Sequence, residues 1–192
     1  MKIVFIPTGL SDDLMNFNLS EINSTELDEI LEQLKYIDNE VEITETNFGK
    51  GADWILLVAT LSSIAYVISV GDKLEKGIDG WIKIGKRISK LFPKSDKLYI
   101  DEDGAKIIAI THIAEKYNLT NIALKDSQVI YLADFSTWFR QREVECFTSK
   151  PFNIYNFTFD VNDERTIILS VKSNGEITEL LNIENDRLDI PF

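Results

Sequence analysis

Apolar and polar positions along this chain repeat at two periods, and the breaks between them fall on turn-forming residues. Lys2–Ile6 is a short apolar run ended by Pro7-Thr8-Gly9, which predicts a β-strand. Leu10 to Asn23 is rich in Asp, Asn and Ser and reads as a long loop. From about Thr25 to Tyr36, Leu27, Ile30, Leu31 and Leu34 recur at helical spacing. Ser24 or Thr25 can cap that helix, and Glu26, Asp28 and Glu29 suit the positive end of its dipole. Asp38-Asn39 is a turn. Glu40–Thr46 then alternates, with Val41 and Ile43 on one side and Glu42 and Thr44 on the other, as a half-exposed strand does. The spacing predicts a small β-α-β unit.

The next stretch, Ala52–Phe92, is the one the rest must be arranged around. Ala52–Val70 carries no charge after Asp53. As a helix its length would be roughly 28 Å, close to the thickness of bilayer hydrocarbon. Asp53 would cap it, and Gly71 would let the chain leave it in a left-handed conformation. Thr60, Ser62, Ser63, Tyr66 and Ser69 dilute the run and favour a buried helix over a membrane span. Lys73–Phe92 reads as an amphipathic helix. Leu74, Ile78, Trp81, Ile82, Ile84, Ile88, Leu91 and Phe92 fall on one half of its wheel, and Lys76, Lys83, Lys86, Arg87 and Lys90 on the other. Gly77 and Gly85 lie in the apolar half and point to close approach of another backbone, expected to be the preceding helix. The two together predict a central helical hairpin.

Lys94–Lys97 is a short linker and the candidate subdomain boundary in what otherwise reads as one domain over 1–192. Leu98–Ile100 is a strand, and Asp101-Glu102-Asp103 opens a helix to about Tyr117 that is apolar nearly all round and so buried. Ile122–Leu124 and Val129–Leu132, separated by Lys125-Asp126-Ser127, suggest a hairpin. Phe135–Phe147 is ambiguous: Phe135, Trp138 and Phe139 have helical spacing, whereas Val144 and Cys146 alternate. Phe152–Val161, Arg165–Val171 and Glu176–Asn182 alternate as strands joined by Asn162-Asp163-Glu164 and Ser173-Asn174-Gly175, an antiparallel meander. The polar tail from Glu184 is expected to lie loosely on the surface. The fold class is α+β: N-terminal strand–helix–strand, central helical hairpin, C-terminal antiparallel β-meander.

Charge narrows the function. The net charge of −12 over 192 residues argues against nucleic acid, whose phosphates need clustered cations. Residues 1–51 carry 3 basic and 11 acidic groups, residues 98–192 carry 9 and 16, and residues 52–97 carry 8 and 5. A basic centre is thus flanked by two acidic arms. A single cysteine, Cys146, fits a reducing compartment, and the apolar start before Pro7 is too short for a signal peptide, so the expected location is cytoplasmic.

Catalytic chemistry finds little support. One histidine, His112, and one cysteine cannot supply a nitrogen–sulfur metal site. A Cys146–His112 nucleophile pair is formally available, but both sit in apolar surroundings that favour structural roles. Asp101-Glu102-Asp103-Gly104 lacks the distal ligands of a calcium loop and serves as a helix cap. Asp12-Asp13 has no companion ligands, and no phosphate-cradling glycine pattern is present. No family signature is recognised. The expected protein is non-enzymatic and takes no cofactor or metal. It binds a basic protein partner, in the manner of an inhibitor of the immunity or antitoxin kind. Trp138, Phe139, Arg140 and Arg142 combine the residue types enriched at binding hot spots. The rival expectation is a membrane-active protein that inserts or docks the 52–92 hairpin. Its face would comprise Trp81, Ile78 and Ile88 with Lys83, Lys86 and Lys90, which otherwise simply pack.

Overall fold

The computed structural model describes residues 1–5, 24–47, 55–62, 68–94, 98–131 and 153–185. In chain order the elements are β1 (Lys2–Phe5), α1 (Ser24–Ile37), β2 (Glu42–Asn47), β3 (Ile55–Thr60), β4 (Lys73–Leu74) and α2 (Ile78–Ser89). These are followed by β5 (Leu98–Ile100), α3 (Glu102–Lys116), β6 (Ile122–Tyr131), β7 (Asn153–Val161), β8 (Arg165–Lys172) and β9 (Ile177–Glu184). They form an α+β fold with a four-stranded sheet, order β2-β3-β1-β5, and a five-stranded sheet, order β4-β6-β7-β8-β9.

The strand–helix–strand start, the packed helices and the C-terminal antiparallel sheet are those the periodicity predicts. The first arm of the helical hairpin is not. Ile55–Thr60 is a strand, paired antiparallel with β1 on one side and β2 on the other, rather than part of a helix over Ala52–Val70. Val58 and Ala59 point to opposite faces and both are buried. A strand covered on both faces needs apolar residues at consecutive positions. Such a run has no period by which strand and helix differ. The same insertion splits the β-α-β unit: β1 and β2 run parallel, with β3 between them.

Lys73–Phe92 is also not one helix. Lys73–Leu74 pairs with Ala123 and Ile122, the helix begins only after Gly77, and Phe92–Lys94 forms a short 3-10 turn. Gly77 has a φ of 82°, a left-handed conformation that glycine adopts without a Cβ penalty. At Gly85 the close approach is real, but the neighbour is α3. A Cβ there would stand 1.8 Å from Thr111 Oγ1 and 3.0 Å from the Ile107 carbonyl oxygen.

α3 is the centre of the molecule, packed against α2 on one side and against strands of both sheets on the other. Ile107, Ile108, Ile110 and Ile113 are all buried, as a helix apolar all round requires. Asp101 caps it, its Oδ1 accepting from Gly104 N–H at 2.9 Å while Oδ2 accepts from Lys2 N–H at 2.6 Å. On the sheet side, β7 turns Asn153, Tyr155, Phe157, Phe159 and Val161 inward, and β8 turns Ile167, Leu169 and Val171 inward.

The expected Ile122–Leu132 hairpin is a single strand. β6 pairs with β7 from Ile122 to Tyr131, and Lys125 is the extra residue of a bulge between Leu124 and Asp126. The polar triplet that reads as a turn in the sequence is accommodated by that bulge, where ladder geometry is locally relaxed. The β7–β8 turn places Asn162 and Asp163 at φ 57° and 59°. Asn162 Oδ1 accepts from the backbone N–H of Thr120 and Asn121 at 2.9 and 3.2 Å, fixing the α3–β6 loop to this turn. The sheets meet where Ile100 N–H donates to the Ser173 carbonyl at 2.8 Å and the Tyr155 hydroxyl donates to the Ile100 carbonyl at 3.1 Å.

Candidate functional site

Charge separates the surface into three regions. The first spans α1 and β2, joined by a turn in which buried Asp38 Oδ1 accepts from Glu40 N–H at 2.9 Å. α1 buries Ile30 and Leu34, so Asp28, Glu29 and Glu32 face solvent. Among the described residues β2 has a neighbour only in β3, which leaves it as the sheet edge with Glu42 exposed, next to exposed Glu40. None of these five carboxylates is in an ion pair among the described residues.

α2 carries the second region. Lys83, Lys86 and Lys90 are exposed, whereas Ile78 and Ile88 are buried and Trp81 is partly buried against the core. Arg87 turns toward α1, its guanidinium 4.5 Å from the Tyr36 ring centroid and donating to the Tyr36 carbonyl at 3.4 Å. Acidic and basic helices therefore meet at one end only, through an aromatic ring rather than an ion pair.

The third region is a saturated network where β9 runs past the edge of α3. Lys116 Nζ lies 2.8 Å from Glu179 Oε2, and Asn182 Nδ2 donates to Tyr117 Oη at 2.6 Å and to Glu179 Oε1 at 3.0 Å. Arg165 donates to Asn182 Oδ1 at 2.7 Å, pairs with Glu184 and lies 5.2 Å from the Tyr117 ring centroid. Lys116, then Asn182, holds the Glu179 carboxyl below its ordinary value. His112 stands half-buried beside this network. Burial, then Lys116, lowers its pKa, while Glu179 and Glu115 act the other way. Lys116, Tyr117, Arg165, Glu179, Asn182 and Glu184 each have a partner within the network, so its chemistry is that of a fixed brace.

Buried carboxyls behave differently. Burial pushes Asp101 up to about 6, against the pull of the Gly104 N–H and the nearby N-terminal amine. At Glu102 burial acts upward too, but the Ser127 hydroxyl and Lys106 outweigh it and hold the group below its ordinary value. At the β4–β7 corner Lys73 donates to Asp163 at 2.7 Å, which lowers the acid and raises the base.

Trp138, Phe139, Arg140 and Arg142, with Cys146, Asp12 and Asp13, and with them the Cys146–His112 pair, lie outside the described residues. Among the described residues no group of three or more His, Cys, Asp or Glu is placed to hold a metal ion, and no helix is long and apolar enough to cross a membrane. Compared with protein-family models, curated proteins and solved structures, the chain matches none. One feature that the sequence reading passed over is the exposed edge of β9, with Leu180, Leu181 and Ile183. Its signal was the adjacent pair Leu180-Leu181, which breaks the alternation of the strand.

Proposed function

We propose that this chain is a non-catalytic protein-binding module whose α1–β2 face receives a basic protein. The observation that supports this is the contrast between carboxylates. Glu102, Asp163, Glu176, Glu179 and Glu184 are each held by a lysine or arginine of the chain itself. Among the described residues, Asp28, Glu29, Glu32, Glu40 and Glu42 have no such partner. Unpaired like charges repel one another and lower the stability of the isolated chain, and a cationic partner relieves that repulsion. Such a surface suits an inhibitor of the immunity or antitoxin kind acting in a reducing cytoplasm, with nucleic acid repelled by the overall charge.

The test is recovery of partners from native cells with wild-type protein and with a Glu29→Gln, Glu32→Gln, Glu42→Gln variant, identified by mass spectrometry. A basic protein should be retained by the wild type and depleted by the variant. For the purified pair, kon should fall about tenfold or more as salt rises, or on making the variant, with koff little changed. An acidic partner, or a kon indifferent to both salt and the three substitutions, would sink the reading.

The exposed lysines of α2 support a second, narrower proposal: docking at an anionic bilayer by charge, without insertion.

A further inference from the structure

We infer that β9 is the contact strand of a symmetric dimer, pairing antiparallel with β9 of a second copy so that two five-stranded sheets become one. This surface is separate from the acidic face, and the inference does not rest on that reading.

β9 ends the five-stranded sheet and pairs only with β8 among the described residues. It exposes large apolar side chains: Leu180 at 55 %, Leu181 at 40 % and Ile183 at 48 %. Strand edges left to water are ordinarily blunted by charge, proline, brevity or a bulge; β9 has the bulge, at Leu180, and its glutamates are paired within the chain. β9 is eight residues long and has no proline. The glutamates of the β8–β9 hairpin are neutralised within the chain: Glu176 by Lys172 at 2.7 Å, Glu179 by Lys116 at 2.8 Å and Glu184 by Arg165. In a chain of net charge −12, this edge is locally neutral and apolar. It can therefore approach a like-charged copy where the α1–β2 edge cannot.

The register selects the occupant. Residues opposite one another in a sheet share a face, so β8 assigns the faces of β9. Ile177, Glu179, Asn182 and Glu184 sit opposite Val171, Leu169, Ile167 and Arg165, on the inner face. Thr178, Leu181 and Ile183 sit opposite Ser170, Ile168 and Thr166, on the outer face. Leu180 is the extra residue of a bulge between those two stretches.

Placing Leu180 opposite Leu181 of the second copy sets Glu179 against Asn182, Thr178 against Ile183 and Ile177 against Glu184. Inner then meets inner, outer meets outer, and no carboxylate faces another. A one-residue slip mismatches the faces. A two-residue slip one way sets Glu179 against Glu184, and the other way carries Ile183 and Glu184 past the start of the partner strand. The bulge thus sits on the dimer axis, as an isologous interface requires of its centre.

Sedimentation velocity on the full chain over a range of micromolar concentrations tests this. We expect a monomer–dimer equilibrium that strengthens as salt rises, because the contact is apolar while the copies repel overall. A Leu181→Lys, Ile183→Lys variant should keep the wild-type melting temperature, since both side chains are exposed, and should dimerise roughly tenfold more weakly or worse. A Thr178→Cys, Ile183→Cys variant made with Cys146→Ser should form a reducible covalent dimer on oxidation, as directly opposed strand positions lie within disulfide reach. A wild type that stays monomeric throughout, a dimer untouched by the two lysines, or a dimer that fails to cross-link would each overturn the proposal. Salt-strengthened dimerisation alongside salt-weakened binding of a basic partner would distinguish this surface from the acidic face.

Discussion

A methyl group at position 85 would occupy space that Thr111 already fills. Thr111 Oγ1, buried and donating to the Ile107 carbonyl at 2.9 Å, lies where the new Cβ must go. Alanine improves helix propensity by about 1 kcal/mol, whereas overpacking at a tight crossing costs about 1–3 kcal/mol and here outweighs it. Gly85→Ala should lower stability in urea titration by about 1–2 kcal/mol, and adding Thr111→Ala should recover most of it. A neutral or stabilising Gly85→Ala would mean that the helices part more readily than their geometry implies. Asp101 poses the opposite question, since its folded-state pKa of about 6 exceeds its ordinary value. The folded chain then binds more protons than the unfolded chain between about pH 4 and 6. The contribution of this group is fully present below that window and is lost as pH rises through 6. Over the window it amounts to up to about 3 kcal/mol. Glu102, Asp163 and Glu179, with lowered pKa values, act in the other sense and lose their contribution as pH falls. Asp101→Asn keeps an oxygen for the Gly104 N–H and should flatten the Asp101 part of the profile. Its stability relative to wild type should therefore improve between pH 4 and pH 7, and a difference independent of pH would refute the effect of burial.

Elements with one covered face were legible in the sequence; of those covered all round, α3 was marked by its length and its Asp101 cap, whereas β3 was not marked at all. The inward alternation Tyr155, Phe157, Phe159, Val161 and the helical spacing Ile30, Leu34 both emerge where predicted, because each leaves a polar face to mark the period. β3 leaves none, and its five apolar residues, Ile55 to Ala59, merged with the following ones into an apparent helix. For α2 the wheel divided the side chains as the structure does, but the sequence could not show that α3, rather than a preceding helix, covers Gly85. The free carboxylates of α1 and β2 were visible as composition; which acidic groups are paired elsewhere depended on contacts as distant as Lys116 with Glu179. α2 also bears the test of the bilayer proposal. Ile78 and Ile88 are committed to the core, and Lys83 and Lys86 are exposed on the outward side of the helix beside Asp79 and Arg87. Anionic vesicles should bind the chain weakly, with roughly 1 kcal/mol per lysine near the surface, without a blue shift of Trp81 emission. Charge reversal at Lys83, Lys86 and Lys90 should abolish that binding. A blue shift lost in the same variant would instead show insertion.

At the scale of the whole molecule, the sheets cancel charge in ion pairs while α1 and α2 keep it apart, touching through Tyr36 and Arg87. Electrostatic steering therefore acts through distinct surfaces, and salt should affect each in its own direction. The junction of the two sheets has a further consequence. The N–H of Ile100 finds its acceptor in Ser173 and the Ile100 carbonyl finds its donor in Tyr155, both supplied by the meander synthesised after it. On the ribosome the first half of the chain would emerge with those groups of β5 unanswered and the sheet-facing side of α3 uncovered. The junction of the two sheets is thereby deferred until the meander leaves the exit tunnel.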